Sequence, residues 1–442
     1  MALSHAIASQ SDVFQPLVSC LSCLDTSFDR ERVWGCRQAF ASVFMLKSPC
    51  EQLCYNTAIP KVHRLAGASF GWKRTPDAAG LSRARRRLSA ADERLVWQAV
   101  RDWSRGHAPA AGTLMPGWVV AAIDGTTLHV PRSRSLSRAF GMRDQLGLDI
   151  SHYPQAQLVS AWDLDRRIPL AWSLTSKKVG ERASALRLLD QLPARSILVM
   201  DRGFPGRELL GRILASGRHA IVRMIAAEGG CWPEVAAFLA SGERSAVVTI
   251  RVRQGRYLVP VQVRLVRRVF KQGRPHTGEQ RSAMVVLSTL VDPQLDDERI
   301  LAIYHGRWGI ETIHREMKSI AQVERWHGTT KRLIEQEVTA LMCWFAIAGA
   351  IATRAEADAA AEDQACADQR QPRRVNSKRV FEAVAAILDW QFACLTQQDQ
   401  VRDYLRQHAL DAWSRMMRFM QRRRPGRWLP RVPKHPYARR VA

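Results

Sequence analysis

Two apolar runs, each followed at once by an aspartate, constrain the fold more than any other feature of the sequence. The first, WVVAAIDGTTLHV, begins at Trp118, and the second, SILVMDRGF, begins at Ser196. Each aspartate, Asp124 or Asp201, precedes a small or glycine-containing turn and is therefore expected at the end of its strand. Between them, QLVSAWDLDRRIPLAWSLT predicts a hairpin that turns at Asp165 to Arg167, and ERASALRLLDQL predicts a helix. This order of strand, hairpin, helix and strand indicates a mixed α/β sheet covered by helices.

The charge of the chain is strongly unbalanced. Its 66 Lys and Arg residues against 41 Asp and Glu residues give a formal net charge of +25. Such a surface attracts polyanions, of which nucleic acid is the commonest in cells, although a merely basic soluble protein is the alternative. Four arginines lie on one short predicted helix, LSRARRRL. We expect Arg83, Arg86 and Arg87 to contact the DNA backbone, and the alternative is a basic helix face exposed to solvent.

The patterns of apolar and charged residues along the sequence predict five regions. Apolar positions recur at three and four residues before and after the sheet, which is typical of helices. The regions are a helical N-terminal domain at 1–110 whose arginines could bind DNA, the first part of the α/β core at 111–225, a β-rich insertion with basic strands at 226–282, the second part of the core at 283–353, and a helical C-terminal region with a basic tail at 354–442.

Membrane insertion and secretion are not indicated by the sequence. The longest apolar run, Val338 to Thr353, is shorter than the roughly 18 to 20 residues of a membrane span, and predicts a buried core helix. No basic start joined to an apolar run and a cleavage site is present, so we expect a cytoplasmic protein with reduced thiols. The cysteine pairs Cys20 and Cys23, and Cys50 and Cys54, suit a buried helix face better than a zinc site.

The stretch YHGRWGIETIHREMK, residues 304–318, concentrates charge around one glutamate. At about 100 degrees per residue, Tyr304, Arg307, Glu311 and Lys318 lie near one line on a single helix. Arg307 and Glu311 could simply be an i,i+4 pair on an exposed helix. Together with Asp124 and Asp201, however, Glu311 could hold two Mg²⁺ ions about 4 Å apart, the arrangement that serves in-line attack at phosphate.

If this metal site exists, the neighbouring side chains are placed to bind the phosphates of the substrate. Arg307 and Lys318 would bind phosphates, and Tyr304 would hydrogen-bond one. The sequence has no GxxxxGK[ST] loop and no HExxH, which argues against nucleotide triphosphate hydrolysis and zinc proteolysis.

In the spacing of these residues, the chain resembles the DDE transposases of the insertion sequence 4 group. Their signature Y-x2-R-x3-E-x6-K is matched at every spacing by Tyr304, Arg307, Glu311 and Lys318. AIDGTTLHVP resembles the strand that carries the first aspartate of the family, and VMDRGF resembles the segment of the second. The likeness covers about residues 75–345.

The resemblance implies an RNase H-like catalytic core with a β-rich insertion, flanked by helical domains for binding DNA ends and for dimerisation. It implies a cofactor of two Mg²⁺ ions per active site, replaceable by Mn²⁺, bound by Asp124, Asp201 and Glu311. DNA contacts near the cut would come from Tyr304, Arg307, Lys318 and Arg202. The partners would be double-stranded DNA, as terminal repeats and as target, and a second copy of the chain.

One departure from the family pattern concerns a flipped base. Relatives that cut through a hairpin intermediate stack this base on a tryptophan before the last core strand, where this chain reads RSAMVVLSTL. Met284 is the nearest large side chain, and Trp232 is the only tryptophan of the insertion. We therefore expect cut-and-paste transposition by metal-dependent strand cleavage, and this stretch lacks the tryptophan that the hairpin step uses in those relatives. The alternatives are an RNase H-like DNA nuclease and a non-catalytic DNA-binding remnant.

Overall fold

The computed structural model describes residues 33–109, 114–142, 152–226, 231–268, 284–365, 372–394 and 399–422. Thirteen helices are described in these ranges: α1 (Cys36–Leu46), α2 (Tyr55–Ala66), α3 (Ala78–Arg87), α4 (Ala90–His107), α5 (Arg134–Phe140), α6 (Glu181–Leu186), α7 (Arg207–Ala215), α8 (Pro233–Ser241), α9 (Asp297–Gly306), α10 (Trp308–Ser319), α11 (Lys331–Ala365), α12 (Ser377–Ala393) and α13 (Asp399–Arg418).

The strands form one large sheet and one small ribbon. The large sheet contains β1 (Val119–His129), β2 (Gln155–Asp163), β3 (Ile168–Ser176), β4 (Ser196–Met200), β5 (His219–Arg223), β6 (Ser245–Gln254), β7 (Tyr257–Arg268) and β8 (Met284–Ser288). The ribbon pairs β9 (Arg373–Arg374) with β10 (Gln421–Arg422). The hairpin expected at Asp165 to Arg167 is confirmed as the turn between β2 and β3.

The order of the large sheet is β3-β2-β1-β4-β5-β8-β7-β6. The pair β2 and β3 forms an antiparallel hairpin against β1, whereas β4 and β5 run parallel to β1. Five strands in this order and with these directions make an RNase H-like sheet, so the predicted fold class is confirmed. Beyond β5 the sheet continues antiparallel through β8, β7 and β6.

Both faces of the sheet are covered, because side chains alternate along each strand. Ala121 and Ile123 of β1 pack in the apolar layer that includes α6, α7 and the strands β6 and β7. Ala122 faces the opposite layer, which contains α10, α11 and the N-terminal and C-terminal helices. Asp124 has the same parity as Ala122 and so belongs to the second face.

The helix α11 is the spine of the second layer. It packs against α1, α4, α12 and β3, and the expected core helix at Val338 to Thr353 is confirmed because these residues are buried within it. Among the described residues one helix, Lys331–Gln364, is long and apolar enough to cross a membrane, and 94% of its most apolar window is buried inside the protein. A core helix of this kind meets the same criteria of length and composition.

Local signals set the helix boundaries, with some departures from the sequence-based expectations. The α3 helix begins after Asp77, whose side chain accepts a hydrogen bond from the Gly80 N–H. The helix expected over residues 181–192 is shorter, because α6 ends at Leu186 and a 3-10 turn follows.

Cys50 and Cys54 are exposed, so the prediction that they lie on a buried helix face is wrong. Cys20, Cys23 and the tail from residue 423 lie outside the described residues.

Candidate active site

The parallel pairing of β1 with β4 places the two aspartates side by side. The last pair of this ladder joins Ile123 of β1 to Met200 of β4. The residues that follow these two are Asp124 and Asp201. The expectation that each aspartate ends a strand holds for Asp201, which directly follows β4. It is wrong for Asp124, because β1 continues to His129 through its pairing with β2.

Each aspartate is held by a backbone N–H of the glycine that follows it. Asp124 Oδ1 accepts from the Gly125 N–H at 2.9 Å, and Asp201 Oδ1 accepts from the Gly203 N–H at 2.8 Å. These bonds fix both carboxylates against rigid parts of the fold, where a sheet sets their separation.

Glu311 approaches Asp124 from the helical layer that contains α10. The single helix expected for residues 304–318 is in fact two helices, because α9 ends at Gly306 and α10 begins at Trp308. Arg307 lies at the junction, where its Nη2 is 2.7 Å from Glu311 Oε1 and its Nη1 is 3.7 Å from Asp124 Oδ2. One largely buried guanidinium therefore links the first aspartate to the glutamate.

The other signature residues occupy different surroundings. Tyr304 is buried in the apolar layer beside Ile300 and Ile303, and the Arg307 guanidinium lies 5.9 Å from its ring centroid. Lys318 is exposed, and its Nζ donates a 2.9 Å hydrogen bond to the Thr127 carbonyl of β1. This bond attaches the C-terminal end of α10 to the strand that carries Asp124.

Negative charge accumulates around the aspartates. Burial is the main cause that raises the pKa of Asp124 to about 6, and the charges of Asp201 and Glu181 add to it, against the Gly125 N–H and Arg307, which lower it. Burial and the charge of Asp201 also raise the pKa of Glu181. An added cation would relieve this repulsion, because like charges held close disfavour ionisation.

Sequence reasoning missed Glu181, the first residue of α6. Its Oε1 accepts a 3.0 Å hydrogen bond from Gln157 Nε2 on β2, and its carboxylate lies over Gly125 and near Gly203. The local sequence holds one signal, an acid that follows a glycine shortly after β3, but an acid at the start of a helix is common for other reasons.

The donor set suits a hard divalent cation, since Mg²⁺ prefers carboxylate oxygens. Asp124, Asp201 and Glu311 are the residues that could hold such ions. Within the described ranges, no three His, Cys, Asp or Glu side chains are gathered closely enough to form a ready metal site, and Arg307 lies between Glu311 and Asp124.

The remaining predicted DNA contacts lie on the surface. Arg202 is exposed beside Asp201, and on α3 the exposed arginines are Arg83, Arg86 and Arg87. Arg85 of the same helix is completely buried and pairs with Glu337 of α11 at 2.9 Å. Trp232, far from the aspartates in sequence, stacks under the Arg207 guanidinium at 4.4 Å, and Met284 is buried at the start of β8.

A comparison with protein families agrees with the position of these acids in the chain. A family model described as the transposase DDE domain matches residues 117–346, about half of the chain, and this range contains both aspartates and Glu311. No curated protein sequence matches significantly. Among solved structures, a cryo-EM structure of a piggyBac transposase synaptic complex with hairpin DNA is similar, with 10% sequence identity, a TM-score of 0.42, and coverage of 90% of this chain and 82% of that one.

Proposed function

Because the chain belongs to the family of transposase DDE domains, we propose that it is a cut-and-paste DNA transposase of the insertion sequence 4 group. It would cleave its element at the terminal repeats and join the 3′ ends to target DNA. The observation that carries this proposal is the β1–β4 register, which sets Asp201 beside Asp124, while Arg307 links Asp124 to Glu311.

In this proposal Asp124, Asp201 and Glu311 hold two Mg²⁺ ions, for which Mn²⁺ can substitute. When bound, such ions supply an activated water or 3′ hydroxyl and stabilise the leaving oxygen. The sheet fixes both aspartates, and the ion pair with Arg307 at 2.7 Å orients Glu311. Preorganised ligands of this kind need little rearrangement during reaction.

Arg307 has a second role toward DNA. Its Nε is buried and has no hydrogen-bond partner among the described residues. A phosphate oxygen could accept this hydrogen, and guanidinium groups bind phosphate through two N–H donors at once. Lys318, which is exposed on α10, would add a point charge to the same DNA strand.

The wider surface would bind the duplex. A formal charge of +25 and the exposed arginines Arg83, Arg86, Arg87 and Arg202 suit phosphate contacts on terminal repeats and target DNA. We propose that two copies act together on paired ends, and that the protein works in the bacterial cytoplasm on nucleoid DNA.

The test is an excision assay with Mg²⁺ on the element's own ends, resolving nicked, hairpin and blunt products. Asp124→Asn, Asp201→Asn and Glu311→Gln should each abolish cleavage while DNA binding survives, because binding rests on the basic surface. Asp190→Asn, which changes an exposed acid of the same core, is the matched control and should cleave normally. An unchanged rate in any of the three variants would remove that residue from the site.

The two alternatives are separated by a second assay. Pre-cut ends are mixed with plasmid DNA and Mg²⁺. Joined products support a transposase, nicks alone support an RNase H-like nuclease, and shifted bands without either support a DNA-binding remnant.

A further inference from the structure

Glu181 approaches the two aspartates from the opposite face of the sheet to Glu311. It begins α6, whose Ala185 packs in the layer of Ala121 and Ile123, whereas α10 packs in the layer of Ala122. The part of β1 around Asp124 is therefore flanked by one glutamate from each helical layer.

Two glycines give the Glu181 carboxylate its place. A Cβ atom at Gly125 would lie 2.2 Å from Glu181 Oε1, so any larger residue would push the carboxylate away. A Cβ atom at Gly203 would lie 3.7 Å from Glu181 Oε2 and 3.1 Å from Asp201 Oδ1. These are the same glycines whose N–H groups hold Asp124 and Asp201, so oxygens of Glu181 and Asp201 converge on one point beside Gly203.

The partner of Glu181 is a polar side chain with an unused acceptor. Gln157 is only 8% exposed, and its Nε2 donates to Glu181 Oε1 at 3.0 Å. Gln157 Oε1 is buried and has no hydrogen-bond partner in the described part of the chain. A buried acceptor without a donor is costly, and a water molecule bound to a metal ion is a suitable donor.

We propose that Glu181 is a fourth carboxylate of the metal site, which binds a divalent cation together with Asp124 and Asp201, directly or through a coordinated water. Gln157 is its positioning residue, which holds the carboxylate through Nε2 and leaves Oε1 free for that water. This inference rests on the proposed function, since it deepens the metal site assumed there. It makes the site of this chain a set of four acids drawn from both faces of the sheet.

Metal affinity, measured without DNA or turnover, tests the proposal. The full-length protein is titrated with Mn²⁺, and free Mn²⁺ is followed by electron paramagnetic resonance. Glu181→Gln should weaken binding roughly 10- to 100-fold, the range seen when a group that supports metal ligands is removed. Gln157→Leu should weaken it less, because the carboxylate itself remains.

Glu208→Gln on α7 is the matched control, since Glu208 is an exposed acid in the same layer, and it should bind Mn²⁺ as the unmodified protein does. Circular dichroism and melting temperature establish that each variant is folded. In the cleavage assay, the Mg²⁺ concentration for half-maximal rate should rise in Glu181→Gln by a similar factor and stay unchanged in Glu208→Gln.

The outcomes distinguish a failure of the role proposed for Glu181 from a failure of the metal site itself. Weaker Mn²⁺ binding in folded Glu181→Gln, with Glu208→Gln unaffected, supports the proposal. Normal binding in Glu181→Gln with weak binding in Asp124→Asn overturns the role of Glu181 and leaves the proposed function standing. Normal binding in both variants overturns the metal site itself, and the role of Glu181 with it.

Discussion

Removing one partner of the buried ion pair between Arg85 of α3 and Glu337 of α11 should strongly destabilise this chain. Both side chains are fully buried, and Arg85 Nη2 lies 2.9 Å from Glu337 Oε1. Arg85 also exchanges hydrogen bonds with Gln336, through its Nε at 3.1 Å and through its carbonyl at 2.7 Å. The pair therefore joins the N-terminal helices to the spine of the core.

The expected magnitude follows from burial. Glu337→Gln leaves the Arg85 charge without a counterion in a site that water does not reach, and breaking such a pair costs about 3–5 kcal/mol. Glu335→Gln is the matched control two residues earlier. Glu335 is partly exposed and lies 3.7 Å from Lys331 and 3.6 Å from Arg332, so its loss should cost about 0–1 kcal/mol.

The acid dependence of stability gives a second readout. Burial alone raises the pKa of Glu337, but the hydrogen bond from His327 and the charges of Arg85 and Lys47 outweigh it and lower the pKa from 4.5 to about 2. Because the folded protein holds this carboxylate ionised below its ordinary range, the stabilisation is complete above pH 4.5 and is lost as the pH falls toward 2. Glu337→Gln should lack this component of acid unfolding.

Urea unfolding followed by circular dichroism, at pH 7 and at pH 3.5, measures both effects. A double variant, Arg85→Met with Glu337→Leu, should recover much of the lost stability, because an apolar replacement of a buried pair removes the unpaired charge. Equal free energies of unfolding for Glu337→Gln and Glu335→Gln at pH 7 would refute the reasoning.

Other predictions concern the site helix, a close contact and the tail. Burial and Lys318 lower the pKa of His314 from 6.5 to about 4, so the stability should rise between pH 4 and 6.5, and melting temperatures of His314→Asn should show a smaller rise. Lys318→Met should change stability by about 1 kcal/mol or less in urea unfolding, while filter binding shows a DNA salt slope lower by about one. In Gly211→Ala the new Cβ would lie 2.0 Å from the Arg253 carbonyl, which should cost about 1–3 kcal/mol, measured by thermal unfolding. Deletion of residues 421–442 should flatten the salt dependence of DNA affinity, and equal slopes would contradict a role for the tail.

The sequence predicted the central strands well, because their signals are local. Asp124 and Asp201 each follow an apolar run, and the hairpin between them has a short polar turn, so strand type and order could be inferred from neighbouring residues alone. What local patterns do not encode is the register between β1 and β4, which is set by non-local pairing. The pairing of β1 with β2 is equally non-local, and it extends β1 beyond Asp124, where the apolar run alone predicts the end of the strand.

Side chains whose role depends on tertiary contacts were the least predictable. Arg85 stands among exposed arginines in sequence, and only the packing of α3 on α11 shows that it is buried. Glu181 carries no spacing relation to Asp124 or Asp201, since the sheet alone brings α6 to their glycines. The break at Arg307 was hidden because both flanking segments favour a helix, and the periodicity continues across it.

The pairing of β5 with β8 bears on how such a chain can diversify. Arg223 and Val286 are antiparallel neighbours, although a segment containing β6 and β7 separates them in sequence. The two strands could be joined by a short turn, so the intervening segment enters and leaves the core at a single joint. Insertions are best tolerated where their ends lie close together. Modules of different length could therefore be exchanged at this joint during evolution, with the strands that carry Asp124 and Asp201 left in register.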